Sequence, residues 1–122
     1  MIGFWSMEHR DSFILEALID FCDRAESGLK ELGVETEEDF LRSLHAQDLC
    51  SFYIFQIGEH VVELSDKFID LHPEIEWRKI RGFRNVIGHD YGSVDEKILW
   101  KTVNERLPEL RNFCARQIGA EE

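Results

Sequence analysis

Three residues in this 122-residue chain have the types and spacing to do chemistry together: Arg84, His89 and Tyr91, in the order Arg-x4-His-x-Tyr. They combine a permanent cation, a group that titrates near neutrality and a phenol within eight residues, which phosphodiester chemistry uses without a metal. They close the stretch Trp77 to Tyr91, WRKIRGFRNVIGHDY, which holds four of the chain's fourteen Lys and Arg residues and one acid, Asp90. That stretch carries +3 and the remainder −14, giving the net −11, so an anion has one place to go.

Cleaving an RNA strand by attack of its own 2′-hydroxyl needs a base for that hydroxyl, a cation for the crowded phosphorane and an acid for the leaving oxygen. Histidine, with an ordinary pKa of about 6.5, can serve either proton transfer, and the arginine fork can neutralise the phosphorane. One histidine does both jobs poorly, whereas two motifs facing each other across a dimer supply two. Arg84 and His89 are five residues apart, about 140° around an α-helix. The trio therefore works best if His89 and Tyr91 lie where the helix ends, with Gly88 leaving room for a ligand. The plain structural alternative is that Arg84 pairs an acid such as Glu59 while His89 and Tyr91 only finish a helix.

The elements that must position these groups read as helices. Apolar residues from Ile14 to Leu32 recur at three- and four-residue steps, predicting a helix over about 8–32 that Gly33 ends. Thr36-Glu37-Glu38-Asp39 predicts the start of a short second helix. A third helix, over about 46–71, carries one apolar stripe through Ile54, Ile57, Val61, Leu64, Phe68 and Leu71 and another through Phe52, Phe55, Val62 and Ile69. Apolar on two sides, it is expected to pack in its own bundle and against a second subunit. After His72-Pro73 the motif segment forms a fourth helix facing inward through Trp77, Ile80, Phe83, Val86 and Ile87, with Gly82 and Gly88 allowing close backbone approach. Gly92 can close that helix and Ser93-Val94-Asp95-Glu96 matches a capping box. The last helix runs from Leu99 to Ile118, with a kink or restart at Pro108. No segment alternates long enough to predict a strand.

Composition supports one domain over 8–119, with 1–7 as a leader or arm and 120–122 as a tail; 43% hydrophobic residues suffice for one core. The negative charge excludes general adhesion to nucleic acid or membrane, so any RNA must be held locally. Cys22, Cys50 and Cys114, odd in number and set among apolar residues, predict reduced, buried thiols in a cytoplasmic protein. No apolar run reaches membrane-spanning length. His9, His45, His60 and His72 form no metal-ligand spacing, and neither metal nor cofactor is expected. Trp77 and Trp100 read as core anchors, and Trp5 as part of an arm or an interface.

The order Ile57-Gly58-Glu59, His72-Pro73-Glu74-Ile75 with Trp77, Arg84-Asn85 with His89 and Tyr91, Val94-Asp95, Trp100 and Leu107-Pro108-Glu109-Leu110 closely resembles the HepT-like proteins of the HEPN superfamily, over roughly residues 10 to 118. The resemblance implies an all-α, up-and-down bundle of four to five helices that dimerises and brings two motifs to one cleft. It implies a metal-independent endoribonuclease, the toxin of a toxin–antitoxin pair whose partner is a minimal nucleotidyltransferase of the MntA type. Arg84 and His89 would be catalytic, Arg81 and Asn85 would bind the RNA substrate, and Tyr91 would be the tyrosine that the partner modifies with AMP to silence the toxin. Gly92 departs from the aromatic that often follows the tyrosine, and the leader before Met7 lies outside the usual pattern. Two other readings stand beside this one: a non-catalytic HEPN module that complexes with a nucleotidyltransferase and presents its substrate, and a structural dimer whose Arg cluster only pairs acids.

Overall fold

The computed structural model describes residues 9–121, which form an all-α bundle; among them there is no strand. The leader or arm expected over 1–7 lies outside the described residues. The helices are α1 (His9–Glu31), α2 (Glu37–Leu41), α3 (Leu44–Val61), α4 (Asp66–Leu71), α5 (Trp77–His89), α6 (Glu96–Lys101) and α7 (Leu107–Glu121). α1, α3, α5 and the α6–α7 run alternate in direction. Gly28 of α1 lies against Leu49 of α3, while Asp11 at the other end of α1 reaches Ser65 just beyond α3. Arg111 of α7 meets Asp23 at mid-α1.

The core sits between α1, α3 and α7. Leu15, Leu18, Val61 and Cys114 have no exposed surface, and Phe113 has 1%. At about 25 cal/mol per Å² of apolar surface removed from water, burial of this core supplies the main drive to fold. Around Phe113 the rings of Phe68, His72 and Trp77 pack with centroids 5.1–6.1 Å away, mostly edge-on, as ring quadrupoles prefer. Trp77 donates its indole N–H to the His72 carbonyl at 2.8 Å, so the predicted anchor is also a hydrogen-bonded one. Trp100 stacks at a tilt on the fully buried Phe40, 5.3 Å between centroids, and ties α2 to α6.

The local signals at the first two helices act as read. Gly33 ends α1 with φ 73°, a left-handed conformation that glycine adopts without strain. Thr36 and Asp39 complete a reciprocal capping box at α2. The buried Gln47 then donates its amide to the carbonyls of Phe40 (3.0 Å) and Leu41 (3.3 Å), satisfying the end of that short helix.

Four expectations need correction. The single helix predicted over 46–71 is two, because Ser65 caps α4 and is itself captured by the buried Asp11, whose carboxylate accepts from Ser65 N (2.8 Å) and Oγ (2.6 Å). A distant residue thus breaks a helix that periodicity alone would continue. α5 ends at His89 rather than at Gly92, and the cap of α6 is Asp95, which accepts from Lys97 N and Ile98 N, while Ser93 instead donates to the Asp90 carbonyl. The inward face of α5 buries only Trp77 fully; Ile80, Phe83 and Ile87 are half-buried and Val86 is 45% exposed. Gly82 has nothing within 4 Å of where a Cβ would stand, so no close approach requires it. At Pro108 the expected irregularity is a widened π turn over Thr102–Arg106, where Leu107 N reaches back to the Thr102 carbonyl. Proline has no N–H for the carbonyl of Asn104 and its ring crowds that oxygen, which the wider turn relieves.

Candidate active site

α5 rests on α3 in an antiparallel seam, and two glycines set how close the helices come. A Cβ on Gly58 would overlap Arg84 Cβ, and one on Gly88 would stand 3.0 Å from the Phe55 ring. The expectation for Gly88 is borne out, and Gly58 is the tighter of the two. Without a side chain at 58, the Arg84 backbone settles against α3 and its guanidinium is delivered to Glu59.

Arg84 Nε donates to Glu59 Oε1 at 2.5 Å, Nη2 reaches the same oxygen, and Nη1 donates to Asn85 Oδ1 at 2.7 Å. Both sides of this ion pair are about one-third or more exposed, so its worth to stability is small. Its consequence is geometric, because a planar fork held on two sides is fixed in orientation and still has N–H groups that these two partners do not use. The pairing that a purely structural reading expected is therefore present, and it leaves donors to spare.

α5 remains α-helical through His89, so the 140° separation from Arg84 holds within one chain. His89 instead shares a stripe with Arg78, Arg81 and Asn85, spaced by three or four residues along the helix. Asn85 and His89 are exposed. Arg81 is half-buried, and its Nε is shielded from solvent with no acceptor among the described residues, an uncommon state for so polar an atom. The structure thus joins Arg84 with Asn85 and aligns Arg81, Asn85 and His89 on one face, but it does not bring Arg84 and His89 side by side.

Tyr91 opens a single 3-10 turn, Tyr91–Ser93, immediately after α5. The phenol lies across the seam, donates to the Asp48 carboxylate and stays 47% exposed. Burial, then the hydrogen bond to Asp48, pushes its pKa above the usual 10, so the hydroxyl is protonated at neutral pH. Tyr53, the other tyrosine, packs between the rings of Phe21 and Phe52.

Tyr91, Gly88, Ile87, Asp48, Ser51, Phe52 and Phe55 bound a shallow groove of about 470 Å³. A larger apolar groove of about 650 Å³ opens between α5 and the α6–α7 run over Ile54 and Ile57. It contains none of Arg84, His89 and Tyr91; the smaller groove is lined by Tyr91 but by neither Arg84 nor His89. Sequence reading passed over Asp48. The signal was its place eleven residues, about three turns, before Glu59 on the same face of α3. Among the described residues no cluster of His, Cys, Asp or Glu is suited to a metal ion, and no helix is long and apolar enough to cross a membrane. The three cysteines are free and buried, and burial lifts each thiol to about 12.

Comparison with known proteins decides the family. Residues 25–117 match the family described as Ribonuclease HepT-like. The chain belongs to this family. Among its relatives, the "Probable ribonuclease HepT" of Thermococcus cleftensis is 37% identical over 88 residues, 65% of this chain and 80% of that protein. A protein named as an RNase candidate in Caldanaerobacter subterraneus is 37% identical over 54 residues, and one in Methanocaldococcus jannaschii is 33% identical over 55 residues. These matches cover 44% and 45% of this chain. The chain spans about half the length of these latter two, 48% and 50%. No solved structure matches it. The Arg-x4-His-x-Tyr segment and the α3–α5 seam lie within the matched residues.

Proposed function

We propose that this HepT-like ribonuclease is a metal-independent endoribonuclease toxin whose active cleft forms where two copies of α5 face each other. The observation that carries the reading is the held fork of Arg84, with donors left over, beside the polar stripe of Arg81, Asn85 and His89 in a segment of +3 on an otherwise acidic chain. In this mechanism Arg84 grips the scissile phosphate and neutralises the phosphorane. His89 of one copy takes the 2′-hydroxyl proton and His89 of the other protonates the leaving 5′-oxygen. Arg81 and Asn85 hold adjacent phosphates and riboses. The 140° between Arg84 and His89 within one chain supports pairing them across a two-fold axis, since a second copy turns its own stripe toward the first. The exposed Phe52 and half-buried Phe55 on α3, with the exposed Val62 just beyond its end, supply an apolar surface for that contact.

Silencing would come from a nucleotidyltransferase antitoxin of the MntA type that transfers AMP to Tyr91. The phenol oxygen attacks the α-phosphorus of ATP, pyrophosphate leaves, and the phenol proton passes to a base of the transferase. Exposure of Tyr91 at a helix end fits such an acceptor. The adduct adds about one negative charge that Arg84 of either copy can bind, together with bulk that occupies the place of an RNA phosphate.

The second reading, a non-catalytic module that presents a substrate to the transferase, is favoured by the Arg84–Glu59 pair, which already neutralises the key cation. Expression of the chain with and without His89→Ala separates the two. The ribonuclease reading expects growth arrest and RNA fragmentation that the variant abolishes; equal harmlessness of both would sink it. For silencing, incubation with the transferase, ATP and magnesium should add the mass of AMP to the peptide bearing Tyr91. Tyr91→Phe should keep much of its cleavage activity and escape inhibition. An adduct elsewhere, or a Phe variant still fully silenced, would defeat the Tyr91 assignment.

A further inference from the structure

The groove at the Tyr91 end of the seam contains more than a phenol. Ser51 is 2% exposed and borders the groove; its hydroxyl is shielded from solvent, makes no hydrogen bond of good geometry among the described residues, and lies near enough to the Tyr91 phenol to oppose the rise in its pKa. A buried polar side chain without a well-formed partner, in the wall of a groove, marks a place where a ligand's polar atom can take up the hydroxyl once the neighbouring phenol shifts. One turn earlier on α3 stands Asp48, with one carboxylate oxygen accepting from Tyr91. An ionised carboxylate has about four acceptor positions, so it can accept further donors beside the phenol. Phe52 and Phe55 border the same groove, and Phe52 is 56% exposed. Gly88 lies over the edge of the Phe55 ring with no side chain to cover it.

Aromatic side chains flanking a carboxylate and a hydroxyl are what proteins use to read an unstacked base in single-stranded RNA, by stacking and by hydrogen bonds to its Watson–Crick edge. The order of donors and acceptors selects among the bases. Guanine offers an acceptor, O6, followed by two donors, N1–H and N2–H. Ser51 can donate to the first, and the two oxygens of Asp48 can accept from the others. Uracil presents one donor between two acceptors, and adenine one donor beside one acceptor, so either would leave Asp48 facing a lone pair or under-used.

We infer that the groove formed by Asp48, Ser51, Phe52, Phe55, Gly88 and Tyr91 is a guanine subsite, which places a guanosine of the RNA strand about two nucleotides from the phosphate held by Arg84. The spacing follows from α3: eleven residues from Asp48 to Glu59 span roughly 16 Å along the helix axis, while an extended RNA strand advances on the order of 6–7 Å per nucleotide. This rests on the ribonuclease reading and deepens it, because it states where cleavage falls relative to sequence.

The test uses the full chain carrying His89→Ala, titrated with the 3′-monophosphates of guanosine, inosine, adenosine, cytidine and uridine. Guanosine is expected to bind roughly 10- to 100-fold tighter than uridine, the range that a paired hydrogen-bond contact to one base edge supplies. Inosine, which lacks the N2 amine, should fall between them. Asp48→Asn, which replaces one acceptor oxygen by a donor, should erase the guanosine preference, and Ser51→Ala should weaken guanosine binding severalfold. If Asp48→Asn lowers the thermal transition enough to obscure binding, the inosine comparison and Ser51→Ala carry the result. Equal binding of all five nucleotides overturns the inference, as does a guanosine preference that survives in Asp48→Asn. Adenosine 5′-monophosphate is titrated alongside, and its binding tighter than guanosine 3′-monophosphate also overturns the inference, assigning the groove to the adenine of a Tyr91 adduct. The His89-containing protein supplies a separate arm, in which fragment ends from a mixed-sequence RNA should show guanosine at a fixed offset from the cut. A guanosine preference in the titration with no cleavage would remove the ribonuclease reading and keep the subsite; cleavage with no base preference would do the reverse.

Discussion

The α1–α3–α7 side of the molecule and the α5 side are built to different ends. On the first, side chains from three helices interlock until Leu15, Leu18, Val61 and Cys114 are wholly enclosed. On the second, α5 lies mainly on α3, touches α4 and α7 only at its first turn through the buried Trp77, and leaves a groove of about 650 Å³ between itself and the α6–α7 run. The first carries stability. The second carries a concentrated positive charge, a fixed guanidinium and an exposed histidine at small cost to the core, because a helix that rests mainly on one neighbour leaves its other faces open. The difference teaches where mutations should be felt as lost activity and where as unfolding.

The largest separation should come from His89→Ala. Loss of a proton-transfer group typically costs about 10²–10⁴-fold in rate, while an exposed helix-end residue changes stability by about 0.5 kcal/mol or less. RNA cleavage assays beside a thermal melt measure both, and a variant that melts early yet still cleaves would invert the comparison. Next in size is Phe113→Ala, expected to destabilise by about 3–5 kcal/mol through the cavity it leaves among Phe68, His72 and Trp77. Urea denaturation gives the value, and a cost under about 1 kcal/mol would mean that this cluster is not the core it resembles.

Gly58→Ala tests the seam between the two sides. The new methyl would overlap Arg84 Cβ, and pushing α5 away should cost about 1–3 kcal/mol together with a loss of cleavage out of proportion to that destabilisation. A variant of unchanged activity would show that the close approach does not set the Arg84 geometry. Asp11→Ala should cost about 1–3 kcal/mol by leaving Ser65 N–H and its hydroxyl unsatisfied. Hydrogen exchange would show the effect at the α3–α4 break, and protection unchanged at Leu64 to Phe68 would count against it. The smallest effect concerns the thiols. With pKa values near 12 and no exposure to speak of, Cys22, Cys50 and Cys114 should resist alkylation at pH 8 in the native protein and react on unfolding. Rapid native labelling would place a cysteine outside the enclosed side. On the other side of the comparison, sedimentation at micromolar concentration should show a dimer, and a stable monomer would leave the exposed face of α3 unexplained.

Sequence alone determined the features whose cause is local. Three- and four-residue apolar spacing defined α1, Gly33 its end, the Thr36–Asp39 pair the start of α2, and the motif segment its charge and its helical character, though not its last residue. These depend on neighbours within a turn or two, and chain order contains them. The motif and the order of residues around it also pointed to the family.

Only tertiary structure decided the features whose cause lies across the chain. Asp11 breaks the helix at Ser65 from 54 residues away. Gly58, unremarkable within an apolar run, proves to be where Arg84 lands, and Gly82, which looked equivalent to Gly88, meets nothing. Asp48 and Ser51 border the groove at Tyr91 because α3 and α5 cross at that register, 43 residues separating Asp48 from Tyr91. Periodicity reports which face of a helix is apolar, but not how many neighbours will cover it, so Val86 could be read as buried and is instead open. The physical reason is common to all of these: a side chain's environment is fixed by the helix packed against it, and that register is set by the collective fit of the core.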